Sequence, residues 1–280
     1  MKNLTLFVLI VFFSLLSVNI VSAGVPFNNL EGVGGVAFNP LAYPAGTSFS
    51  PEEKKDLGNA AQYFGKPRLG TWYVNLSDVD ISWYSVGISE TFLDRIELSY
   101  GYQNIGQQDA KTHEKHNLGA KLLLVPENFH NLNFVPAISM GGIYKHTDTV
   151  IPGSKKEGWD AYLVATKLIT QLPIPVLISG GGLFTTSYAT GALGYDSNYE
   201  PTFFGNVDFV LTDKIIVGAE YKQGAHFDSF KNADYWEAHL AYTPNNHITL
   251  IGAYVDAGDH EATGEVGLGD GVVFSIQYAF

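Results

Sequence analysis

The chain has 280 residues, with 28 Asp and Glu against 16 Lys and Arg, for a formal net charge of −12. That balance argues against nucleic acid as a partner, because phosphate binding needs a basic surface. With no cysteine, no disulfide can form and a lipoprotein anchor has no attachment point.

Met1 and Lys2 precede an apolar run from Leu4 to Leu16 and then Val21-Ser22-Ala23. A short basic start, an apolar core and a small-x-small site predict a secretory signal peptide over residues 1–23, cut after Ala23. No later run approaches the roughly 20 apolar residues of a spanning helix. The composition is nonetheless 46% hydrophobic and 14% aromatic, with 30 glycines. Such a chain must bury its apolar side chains in a soluble β core or turn them to lipid as a barrel.

Residues 24–69 read differently from the rest. Gly32-Val33-Gly34-Gly35 and the stretch from Asn39 to Gly46 are irregular, since Gly and Pro interrupt regular elements. Ser50-Pro51-Glu52-Glu53 has the form of a capping box with Pro at the first helical position. It predicts a helix to near Phe64, with Leu57, Ala60, Ala61 and Phe64 on one face. The segment is expected to fold into the barrel lumen as a plug or to lie on the periplasmic rim. Val36–Phe38 favours the lumen, where an apolar stretch finds a dry environment.

From residue 70 to 280 the sequence alternates in segments of about ten residues, the pattern of membrane strands. Twelve are predicted: Gly70–Leu76, Val79–Ser89, Arg95–Asn104, His116–Val125, Leu132–His146, Gly158–Thr170, Ile174–Ser187, Glu200–Leu211, Lys214–Gly224, Asp234–Thr243, His247–Asp256 and Gly271–Phe280. Short and long connections alternate from the second strand on, as periplasmic turns and external loops do; Ser77-Asp78 is a short exception. Aromatics near strand ends, including Trp72, Trp83, Tyr100, Tyr144, Trp159, Tyr235 and Trp236, suit girdles at the two interfaces, although β propensity enriches the same residues.

The last segment places Val272, Phe274, Ile276, Tyr278 and Phe280 on one face and Val273, Ser275, Gln277 and Ala279 on the other. It resembles the C-terminal strand of bacterial outer-membrane barrels. That resemblance implies an assembly signal in Phe274, Tyr278 and Phe280, recognised by the barrel-assembly machinery, and closure against the first strand. The run from Asn29 to Tyr43, NLEGVGGVAFNPLAY, with Trp72-Tyr73-Val74-Asn75-Leu76 after it, resembles a family of bacterial exported proteins known only as a domain of unknown function. It brings no activity with it.

The fold expected is therefore all-β, a transmembrane antiparallel barrel of about twelve strands in the outer membrane of a Gram-negative bacterium. Outer-membrane lipid and lipopolysaccharide would surround it. Charge on the lipid face is costly, so Arg95, Glu97, Lys121, Asn206, Asp208, Glu220, Lys222, Glu237 and His239 are expected to line the lumen. Lys145 and Lys167 are candidates for the opposite wall. This set reads either as a neutralising network filling a narrow barrel or as a polar track for a small solute.

Catalytic and metal chemistry find little support. A hydrolase needs a serine paired with a histidine, and the strand histidines His116, His146, His239 and His247 have no evident serine partner. His113-Glu114-Lys115-His116 reads as surface polar residues, because a spacing of three in a strand puts the two rings on opposite faces. The acidic loop carrying Asp256, Asp259, His260, Glu261, Glu265 and Asp270 matches no calcium-loop spacing. No metal or cofactor is expected. The reading is a narrow channel for passive uptake of a small solute; a closed barrel with a structural or surface role is the alternative, and an outer-membrane hydrolase a more distant one.

Overall fold

The computed structural model describes residues 27–46, 49, 53, 55–56, 63–77, 80–107, 112–258 and 265–280. The expected signal peptide lies outside the described residues, as do Asp259, His260 and Glu261 and most of the expected helix before Phe64. Glu53, Lys55 and Asp56 are helical. Phe64 is not: it forms a β-bridge with Phe92.

Two short strands come first, β1 (Phe27–Asn28) and β2 (Gly34–Gly35), paired antiparallel. Twelve longer strands follow. They are β3 (Arg68–Leu76), β4 (Ile81–Phe92), β5 (Ile96–Gln107), β6 (His113–Val125), β7 (Ala137–Thr147), β8 (Glu157–Ile169), β9 (Val176–Tyr188), β10 (Gly194–Val210), β11 (Ile215–Lys222), β12 (Tyr235–Tyr242), β13 (Ile248–Asp256) and β14 (Asp270–Ala279). Each pairs antiparallel with its neighbours in sequence, and β14 pairs with β3 to close the barrel. The closing register sets Tyr278 opposite Leu69 and Phe274 opposite Tyr73. Closure leaves no unpaired edge, which is what allows a sheet to exist in hydrocarbon.

The alternation expected of the last strand is present. Val272, Phe274, Ile276 and Tyr278 are exposed on the outside, while Val273, Ser275 and Gln277 are buried inside. The same outward face continues around the barrel through Val86, Leu98, Leu118, Met140, Leu163, Ile178, Phe203, Leu240 and Leu250. An unbroken apolar belt of this extent is an aggregation surface in water and the normal exterior of an outer-membrane barrel. The tight connection from β4 to β5 runs through Leu93 and Asp94, both at φ 54°. Left-handed backbone at both central positions matches the twist of the strands it joins.

Three aromatics depart from the girdle expectation. Trp72, Trp83 and Tyr235 point into the barrel and are buried. The interior along β3, β4, β13 and β14 is itself apolar, with Val74, Leu76, Ile81, Ile251, Val255 and Val273 in one cluster. Alternation of hydropathy therefore fades on these strands, and aromatic position alone does not tell inside from outside.

Candidate functional site: the occluded lumen

Residues 27–46 occupy the middle of the barrel. The loop enters beside the strand ends nearest the termini. Asn28 donates from Nδ2 to the carbonyls of Arg68 (3.1 Å) and Gly87 (3.3 Å), and exchanges backbone hydrogen bonds of 3.1 Å each with the Gln277 side chain. Trp72 Nε1 donates to the Asn28 carbonyl at 2.7 Å. The loop leaves at the same end, where the Gly46 N–H donates to Thr91 Oγ1 at 2.8 Å.

Between these points the backbone crosses the lumen, and its polar groups are met by wall side chains. Glu97 accepts the N–H groups of Gly34 (2.8 Å) and Ala45 (2.7 Å). Lys121 donates to the carbonyls of Gly34 (2.7 Å) and Tyr43 (3.1 Å) and pairs with Glu97 at 2.9 Å. Across the barrel, Glu220 accepts from Ala37 (2.9 Å), Phe38 (2.8 Å) and Asn39 (3.3 Å). Thr166 Oγ1 accepts the Ala42 N–H at 2.8 Å. Irregular backbone at membrane depth is tolerated only when its polar groups are paired within protein, and these wall groups perform that pairing.

The loop carries one buried charge of its own, Glu31. It pairs with Lys115 at 3.1 Å and with Lys145, and Lys145 also reaches Asp160 at 2.6 Å. Burial alone would raise the Glu31 carboxyl, but the ammonium groups of Lys145, Lys115 and Lys222 hold it well below the usual carboxylate range.

Close approach is made possible by missing side chains. A Cβ on Gly32, whose φ is +85°, would lie 2.6 Å from the Tyr100 carbonyl oxygen. One on Gly87 would lie 2.6 Å from the Gly32 Cα, and one on Gly101 would strike the Glu31 carbonyl. Loop and wall glycines thus meet backbone to backbone. Around this contact Val33, Val36, Leu41, Ala42 and Tyr43 of the loop pack with Leu123, Ile143, Val164, Leu183 and Phe204 of the wall.

All nine residues expected in the lumen are buried: Arg95, Glu97, Lys121, Asn206, Asp208, Glu220, Lys222, Glu237 and His239. They do not form one continuous wall. Glu97 and Lys121 make one loop-binding pair. Glu220 makes another contact opposite, directly across the ladder from Glu237. Asp208, His239 and Glu237 form a third group, with the His239 ring 2.9 Å from Asp208 and 2.7 Å from Glu237. Asn206 Nδ2 donates to Asp208 at 2.5 Å. Gly218 lies between β10 and β12 at this point, and a Cβ there would sit 2.7 Å from the His239 ring. Lys222 stands apart, opposite Tyr235. Arg95 lies one residue before β5 and donates to the Leu123 carbonyl at 3.4 Å.

Two lysines correct the sequence reading. Lys167 is on the outer face near the strand end and is held there by Glu127 at 3.1 Å; its neighbour Thr166 is the one that faces the lumen. Lys115, grouped with surface polar residues, is fully buried. It lies six residues from Lys121 on one strand, so the period of two already placed both on the same face. Glu31 carried no such signal, whereas Asp160, a charge within a predicted strand, fell under the same inward rule. His113 contacts the Thr149 carbonyl and His116 the Tyr100 hydroxyl, so the two rings serve different neighbours.

On the external side of the loop a cavity of about 40 Å³ remains. A smaller one of about 20 Å³ adjoins it, sharing Thr190, Lys222 and Tyr235. No cavity among those described spans the loop.

The sequence matches, over residues 24–268, the family model described as Protein of unknown function (DUF3034). The chain belongs to that family. No curated protein matches it. Among solved structures, this DUF3034 member is similar to the KdgM porin, with 13% identity, 76% of this chain and 99% of that chain covered, and a TM-score of 0.52. The KdgM porin in complex with disordered oligogalacturonate gives the same coverage and identity at 0.53. The NanC porin matches at 10% identity over 76% of this chain and 98% of that chain, with a TM-score of 0.50. At such identities the likeness establishes the fold: a closed twelve-stranded barrel of the outer-membrane porin type. With its continuous lipid-facing belt, that fold places the protein in the Gram-negative outer membrane.

Proposed function

We propose that this DUF3034 member is a narrow channel for passive uptake of a small solute, closed in this state by its own residues 27–46. The observation that carries the reading is the chemistry of the attachment. Glu97, Lys121, Thr166 and Glu220 hold the loop through polar groups that water can satisfy equally well when the loop is displaced. A barrel meant to stay filled gains more from apolar side chains, since buried ion pairs are seldom more stabilising than well-packed hydrophobic replacements. A twelve-stranded barrel has room for a solute path once its lumen is cleared.

This reading implies lipid and lipopolysaccharide around the apolar belt, and the barrel-assembly machinery acting on the terminal strand. It assigns no catalytic role: the contacts of His239 are to Asp208 and Glu237, and that of His247 is to the Ala279 carbonyl at 2.8 Å. The competing reading, a permanently closed barrel with a structural role, draws on the glycine contacts and on the apolar packing of Val33, Val36 and Leu41 against the wall. Conductance in planar bilayers decides between them. The full protein is expected to show infrequent openings, and a variant lacking residues 27–46 steady conductance. A loop-deleted barrel that inserts and stays silent overturns the channel reading.

A further inference from the structure

The two cavities on the external side of the loop differ in character. The larger has an apolar wall of Val74, Leu76, Val255, Ala257 and Leu268, with Glu31, Gln103 and Thr190 also in its lining. The smaller has Asp160, Thr185, Ser187, Thr202 and Asn232 in its lining, beside Leu183 and Ala225. Lys222 and Tyr235 belong to both and face one another across the β11–β12 ladder. The junction of an apolar and a hydroxyl-rich chamber is therefore marked by an ammonium and a phenol.

These groups lack partners. Trp83 Nε1, Tyr235 Oη and Gln103 Oε1 line the larger cavity and are buried without a hydrogen bond among the described residues. Buried polar atoms are rarely left so, because each costs its lost hydration. Lys222 makes no direct ion pair among the described residues, unlike Lys115, Lys121 and Lys145. Glu31, Asp160 and Glu220 are the carboxylates around Lys222, and none is in direct contact with it, whereas Lys115 and Lys145 each touch at least one. Glu31 is already engaged by two lysines. The site thus offers a free cation and two free donors beside an apolar wall.

We propose that this vestibule binds a small organic carboxylate with a short apolar body. Lys222 takes the carboxylate, with the Tyr235 hydroxyl or the Trp83 N–H donating to its oxygens. The apolar body lies against Val74, Leu76 and Val255. A space of this size holds only a few heavy atoms in the closed state, which favours a compact ligand. As the solute class of a channel the proposal rests on the reading above; as a binding site it is measured without any flux.

The test is a titration of the full-length barrel in detergent with propionate and butyrate, and with propanol and butanol as neutral counterparts, followed by intrinsic tryptophan fluorescence and calorimetry. Saturable binding of the acids is expected, with the alcohols at least about 10-fold weaker, as loss of a charged hydrogen bond implies. Lys222→Gln should weaken the acids about 10-fold and leave the alcohols unchanged, while Lys222→Arg should restore most of the affinity. Heat-modifiable gel mobility confirms that each variant is folded. Equal binding of acid and alcohol, an unchanged affinity in Lys222→Gln, or no saturable signal, with the orphan groups then serving only water, overturns the proposal. Binding that persists in a barrel that never conducts retires the channel reading and leaves the site standing.

Discussion

Glu31 on the luminal loop and Lys145 on β7 form an ion pair in the barrel interior, 114 positions apart in the chain. Lys145 also binds Asp160 on β8 at 2.6 Å, and Glu31 also binds Lys115 on β6 at 3.1 Å. One loop carboxylate is thus tied to two strands directly and to a third through Lys145.

Glu31→Gln should loosen the loop. Removing one member of a buried ion pair commonly costs about 3–5 kcal/mol, and Lys115 loses its carboxylate while Lys145 keeps Asp160. The expected result is a stability loss near the lower end of that range by urea unfolding in lipid or detergent. Openings in bilayer recordings should become more frequent.

Acid should act through the same carboxylate. Glu31 is held below its ordinary value near 4.5, so it binds protons less readily folded than unfolded. Its contribution to stability is complete above that value and is lost progressively as pH falls below it toward the folded value. Stability measured from pH 7 down to pH 3 should fall less steeply in Glu31→Gln than in the wild type. Parallel profiles would show that Glu31 is not a source of the dependence.

Gly87→Ala should displace the loop without disturbing the ladder. Its new Cβ would sit 2.6 Å from the Gly32 Cα, backbone against backbone, and overpacking of this kind costs about 1–3 kcal/mol. Limited proteolysis from the terminal side should cut residues 27–46 faster, while heat-modifiable migration of the barrel stays unchanged.

Phe280→Ala should reduce the amount of assembled barrel and leave the conductance of assembled molecules unaltered. Phe280 is half exposed, stacks edge-on against Tyr278 at 4.9 Å and donates its N–H to the Pro67 carbonyl at 3.3 Å. It touches nothing in the lumen among these contacts. Surface yield and single-channel amplitude, measured on the same preparation, separate the two effects.

Strand positions, the closing pair β14–β3 and the inward parity of Glu97, Lys121, Glu220 and Glu237 were legible in the sequence. They follow from a period of two and from the cost of charge in lipid, which are local constraints that each strand obeys separately. Where both faces are apolar, as around Trp72, Val74 and Trp83, that contrast vanishes and the facing could not be read. Lys167 was misjudged for a related reason: near a strand end a lysine can stay outside if a turn residue such as Glu127 neutralises it. Which wall groups meet which loop atoms was beyond reach altogether. Glu31 finds Lys115 and Lys145, and Gly32 fits between Gly87 and Tyr100, only because ring closure brings distant strands around one short loop. Those contacts depend on distances across the lumen that no single strand encodes.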